Sequence, residues 1–154
     1  NRKPEQIDVL VHPQSITHSN VQFEQATMKE QMGLRDMKLP IQFALSYPER
    51  FKSSFPRFNF MDYPNLTFQQ PDRATFRNLD LAFEAMQGSN GLPCVLNAAN
   101  EITVAAFLKE QIGFLEIAKI NEQSLTQFNG STCSSIADYV QLDKEVRQYA
   151  SGLV

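Results

Sequence analysis

Both histidines of the chain fall in one stretch of eight residues, "HPQSITHS", as His12 and His18, with Ser15 and Ser19 beside them. Such residue types suit three kinds of chemistry. Imidazoles can bind a metal, an imidazole can act as a general base, and a serine beside a histidine can be a nucleophile. A spacing of six residues across Pro13 argues against a zinc site, which usually pairs closer ligands with Cys or carboxylate at set distances. A nucleophile reading lacks the G-x-S-x-G pattern. A serine and histidine in a turn are more often hydrogen-bonded scaffolding, so an ordinary polar turn stands as the plain alternative.

Other stretches offer less. "NAANEITVAAF" places Asn97, Asn100 and Glu101 in an apolar helix. Buried polar groups need partners, so these either line a site or tie neighbouring helices together, and the second is the commoner use. "QGSNGLP" precedes a helix and could seat an anion at its N-terminus, but a helix-to-helix turn explains it equally. With 6 glycines and no phosphate-cradling pattern, a nucleotide loop is not encoded. Cys94 and Cys133 are far apart and form no C-x-x-C, and they read as two unremarkable thiols in a reducing compartment.

The elements that must position the turn follow from periodicity. Ile7, Val9 and Val11 alternate as a strand that Pro13 ends. Val21 with Phe23 marks a second strand, and "TMKEQM" up to Gly33 a third, so residues 6–33 read as a small antiparallel meander. A helix follows, with Pro40 in its first turn and an end at Tyr47, forced by Pro48. Residues 52–73 carry three prolines and the rings Phe55, Phe58, Phe60, Tyr63 and Phe68. This extended arm is expected to cross other structure and bury those rings.

The remainder is helical. Asp72 offers an N-cap for a helix with Phe76, Leu79, Phe83 and Met86 on one face and Gly88 at its end. A second helix starts at Pro93, lined by Val95, Ala99, Ile102 and Ala106, and extends toward Gly113. A third carries Ile117, Ile120, Leu125 and Phe128. Ser135 with Asp138 resembles a capping box, and Asp143 is expected to cap a last helix bearing Val146, Ala150 and Leu153. The fold class is therefore α+β: short antiparallel strands and a helix, then a C-terminal antiparallel helical bundle.

Composition bounds the partners. The 17 acidic and 14 basic residues give no basic surface for nucleic acid. No apolar run approaches the ~20 residues of a membrane span. The opening "NRKPEQ" starts at Asn1 and has no signal-peptide character, so a piece of a longer protein is expected.

Taken together, "VHPQSITHSNVQF", "MGLRDMKLPIQFALSYPER", "LTFQQPD" and "LPCVLNAANEITVAAFLKEQIGFLEIA" occur in one order. They closely resemble the C-terminal part of the 1-deoxy-D-xylulose 5-phosphate (DXP) reductoisomerase family over residues 7–120, and more loosely over the last 34. The resemblance implies an oxidoreductase of non-mevalonate isoprenoid biosynthesis. It converts a phosphosugar to 2-C-methyl-D-erythritol 4-phosphate with NADPH and Mg²⁺ or Mn²⁺. It implies a homodimer in the bacterial cytoplasm, with a plastid as the other possibility.

By the same resemblance, residues 1–50 finish a catalytic domain, 51–73 are a connector and 74–154 form a helical domain. Cofactor and metal ligands lie upstream, so no metal ligand is expected here and the chain alone is expected to be inactive. Three positions match the family's site. His18 corresponds to a catalytic histidine, while Ser15 and Met37 line substrate and nicotinamide. His12 is expected to make a structural hydrogen bond. Arg35 stands where many members have proline, and "QFEQATMKEQ" lacks the usual Asp-Gly turn. A helical interaction module built on the same scaffold is the non-enzymatic alternative, and a histidine-based metal hydrolase a weaker one.

Overall fold

The computed structural model describes residues 4–154. Two units emerge. One comprises Val9–Pro71; the other joins the residues up to Asp8 with Asp72–Val154.

In the first unit, β1 (Thr17–Gln22) and β2 (Met28–Met32) form an antiparallel hairpin. The meander expected over residues 6–33 is corrected here. Ile7 to Val11 form no strand, and Val11 makes an isolated bridge with Gln69. Alternation alone did not suffice, because no described neighbour continues the ladder. The hairpin turn runs from Phe23 to Thr27, whose carbonyl accepts the Phe23 N–H at 2.9 Å. Ala26 takes the left-handed position, φ 64°, that glycine usually fills.

Helix α1 (Lys38–Ser46) starts two residues before Pro40 and ends at Tyr47, as Pro48 requires. Asp36, just before its N-cap, accepts the Lys38 N–H at 2.9 Å. The arm does not bury its rings. Phe55, Phe58 and Tyr63 are half-buried and Phe60 and Phe68 exposed. They pack chiefly on one another, Phe58 lying 4.8 Å from Phe60 and 5.6 Å from Tyr63 between ring centres. Among the described residues of this unit Ile16 alone is buried.

The second unit has a real core. Helices α2 (Arg77–Gln87), α3 (Leu92–Leu108), α4 (Phe114–Gln127) and α5 (Ile136–Ser151) bury Leu81, Val95, Ala98, Ala99, Ile120 and Val146. Each fully buried Val or Leu contributes about 1.5–3 kcal/mol. The small residues of α3 let α4 and α5 approach it. Gly91 is needed where it is, since a Cβ there would lie 2.6 Å from the Ser131 carbonyl oxygen.

Three boundaries differ from expectation. Asp72 caps a turn instead of α2, accepting the Thr75 N–H at 3.0 Å, and α2 begins at Arg77. Its buried side is Leu81 and Ala85, while Phe76 and Met86 are exposed. Helix α3 stops at Leu108, short of Gly113, in a paired-hydrogen-bond stop with Glu110 left-handed at φ 58°. The Gln111 N–H reaches the Ala106 carbonyl at 3.0 Å and the Glu110 N–H the Phe107 carbonyl at 2.9 Å. Asp143 caps nothing. It lies inside α5, whose start is the Ser135–Asp138 capping box, and accepts from Arg147 at 2.7 Å.

Candidate functional site

All three residues expected to carry chemistry lie in the hairpin unit. The pairing of β1 with β2 slips between Thr17 and Ser19, so His18 is the extra residue of a β-bulge. A bulge re-aims a side chain out of the regular alternation. His18 Nε2 comes within 3.2 Å of the Gly33 carbonyl oxygen. A carbonyl can only accept, so Nε2 carries the hydrogen, and the neutral tautomer compatible with this contact has its lone pair on Nδ1. The neighbouring bond from the Gly33 N–H to the Ile16 carbonyl, 2.9 Å, fixes the same loop to the foot of β1.

Ser15 sits at the end of a tight turn, its N–H donating to the His12 carbonyl at 3.0 Å. Its backbone is left-handed, φ 53°, a conformation a serine keeps only when its surroundings hold it there. His12 is a support, as expected. Its Nδ1–H donates to the Thr67 carbonyl at 2.8 Å and its ring stacks on Phe68 at 4.7 Å. Its Nε2 is buried without a hydrogen-bond partner among the described residues. Met37 is 72% exposed at the N-cap of α1, the far end of the loop that His18 grips at Gly33. Its thioether presents an adaptable apolar surface to solvent.

No hydrogen bond joins Ser15, His18 and Met37 to one another among the described residues, and neither serine hydroxyl bonds an imidazole there. What connects the three is backbone: Ile16 to Gly33, then Gly33 to Met37 along the chain. Among the described residues no three His, Cys, Asp or Glu side chains gather where they could hold a metal ion.

The polar residues of α3 act as ties. Glu101 accepts from Arg147 of α5 at 2.7 Å and from Asn97 at 3.2 Å, and the arginine holds its carboxyl below the usual range. Asn100 accepts from Asn121 of α4 at 3.2 Å. The turn before α3 serves the loop 131–133: Gly91 N–H donates to Ser131, and Asn90 bonds the Cys133 backbone in both directions. Both cysteines are free, and burial pushes the Cys94 thiol up, which disfavours the reactive thiolate.

The contacts of Val11, His12 and Gln14 with residues 67–69 have no mark in the sequence. They join positions more than fifty residues apart, and no local pattern signals such a pairing.

The fold is thus that of an α+β protein whose candidate chemistry is confined to a hairpin, its preceding turn and the loop to α1. Residues 32–149 match the family described as the DXP reductoisomerase C-terminal domain, and the chain belongs to it. It is 50% identical over 152 residues to 1-deoxy-D-xylulose 5-phosphate reductoisomerase of Phocaeicola vulgatus, covering 99% of this chain and 40% of the relative. It is 49% identical to that of Bacteroides fragilis, over 99% of the chain and 39% of the relative. Among solved structures, the Zymomonas mobilis reductoisomerase in complex with NADPH aligns with a TM-score of 0.85 at 40% identity, covering 95% of this chain and 39% of that one. A DOX-P reductoisomerase in complex with NADPH, fosmidomycin and magnesium aligns with a TM-score of 0.87 at 37% identity, over 97% and 39%. The chain spans about 40% of the length of the curated relatives it matches.

Proposed function

We propose that the chain supplies one side of the active site of an NADPH- and metal-dependent DXP reductoisomerase and does not perform the reaction alone. The relatives are named for that activity, and solved relatives hold NADPH and magnesium. The observation that carries the reading in this molecule is the hairpin unit, which has Ile16 as its one buried described residue. A unit with so little core needs more polypeptide over it. Its exposed apolar side chains, Leu45 at 85% among them, are the surface such polypeptide would cover.

Within this reading residues 1–50 complete the catalytic domain, 51–73 connect and 74–154 form the helical domain. A bound divalent cation would stabilise charge developing on substrate oxygens. The described residues do not fit a metal site of their own, and the roles below do not depend on one. His18, its Nε2 engaged by Gly33, offers Nδ1 to accept a hydrogen bond from a substrate hydroxyl and orient it. Ser15 offers a hydroxyl from a fixed left-handed turn. Met37 offers its exposed thioether as a wall for the nicotinamide ring. We assign the whole enzyme to a homodimer in the bacterial cytoplasm. The exposed apolar faces of the hairpin unit support the first part, and the bacterial relatives the second. No helix among the described residues is long and apolar enough to cross a membrane.

NADPH oxidation with DXP and Mg²⁺ tests the assignment of His18. In the active enzyme carrying this chain, His18→Ala is expected to lower kcat by about 10²-fold or more, with little change in Tm. A variant as fast as the parent would remove His18 from the site.

A further inference from the structure

The arm contacts of the "HPQS" turn form a continuous clamp. Val11 and Gln69 exchange two backbone hydrogen bonds of 2.9 Å. Next, His12 Nδ1–H donates to the Thr67 carbonyl and stacks on Phe68. Then Gln14 and Thr67 interlock: Gln14 Nε2 donates to the Thr67 hydroxyl at 2.9 Å, and Gln14 Oε1 accepts from that hydroxyl at 3.1 Å and from the Thr67 N–H at 3.3 Å. The last of these contacts, those of Gln14, lie one residue short of Ser15. On the other side Ile16 is buried and bonded through its carbonyl to Gly33. Ser15, in its left-handed conformation, is suspended between these two anchors.

We propose that Thr67, through Gln14, is a positioning residue that fixes the Ser15 hydroxyl for substrate or nicotinamide. This inference rests on the reading of Ser15 given above. The Gln14–Thr67 contacts are solvent-exposed, so their worth to global stability is small. Their worth to geometry is large, because displacing a positioned group by about 1 Å can cost about 10²-fold in rate. A stability role and a positioning role therefore predict different readouts.

The test is steady-state kinetics and thermal unfolding of the full-length enzyme containing this chain, with DXP, NADPH and Mg²⁺. Thr67→Val, which removes the hydroxyl at constant shape, is expected to lower kcat/KM for the phosphosugar by roughly tenfold with Tm unchanged. Thr67→Ser keeps the hydroxyl and is expected to restore kcat/KM to within about twofold. Gln14→Leu is expected to reproduce the Thr67→Val loss, and it carries the test alone should Thr67→Val fail to fold. An active parent whose Thr67→Val and Gln14→Leu variants match it overturns the clamp and leaves the functional reading standing. Thr67→Ser as poor as Thr67→Val also overturns the clamp. A folded parent with no turnover overturns the functional reading and this inference with it.

Discussion

Asn121 shows at residue scale how a polar side chain can specify a core. It is fully buried in α4, and its amide reaches three other helix positions. Oδ1 accepts from the Thr103 hydroxyl at 3.2 Å, and Nδ2 donates to Asn78 at 3.1 Å and Asn100 at 3.2 Å. Truncating it removes all three hydrogen bonds at once and opens a cavity among α2, α3 and α4. Asn121→Ala is expected to cost about 2–3 kcal/mol, measured as a lower urea midpoint with unchanged m-value. Glu101 makes a second prediction. Arg147 holds its folded-state carboxyl below the ordinary value of 4.5. The unfolded chain therefore binds the proton more readily, and the contribution is fully present above pH 4.5 and lost as pH falls through the lowered value. Urea midpoints across a pH series should fall in acid, and less steeply for Glu101→Gln; parallel curves would show the pair to be inert. His18 and Ser15 stand as candidates only through the resemblance to a family, since six-residue spacing carries no chemistry by itself. The bulge that isolates His18 from the ladder has no sequence mark.

Elements were legible where chemistry marks their ends. Ser135 and Asp138 announce α5, and Pro48 announces the stop of α1. Helix α3 ends without its usual mark, because Glu110 occupies the left-handed position that glycine normally takes. A non-glycine residue there carries about 1 kcal/mol of strain. Glu110→Gly is thus expected to raise stability by roughly 0.5–1 kcal/mol, seen as a Tm increase of a few degrees. A lower Tm would mean that Glu110 makes a compensating contact. The strand expected at residues 7–11 is absent for a different reason: alternation describes a half-buried surface, and the ladder here stops at the single Val11–Gln69 bridge.

At the scale of the whole molecule the two units are unequal. The helical unit buries a contiguous core and ties its helices with Arg77, paired to Glu84 and Glu122, and Arg147, paired to Glu101 and Asp143. The hairpin unit buries Ile16 alone among its described residues, yet it holds every candidate for chemistry. That imbalance, with relatives about two and a half times as long, is why the chain is assigned one side of a site rather than a whole one. The most direct measurement is DXP-dependent NADPH oxidation by two purified proteins: this chain alone, and this chain joined to the upstream part of the Phocaeicola vulgatus relative in place of that enzyme's own C-terminal segment. No turnover is expected from the chain alone and DXP-dependent turnover from the joined protein, abolished or sharply reduced by His18→Ala. Turnover by the chain alone, or a folded joined protein that leaves NADPH untouched, would contradict that assignment.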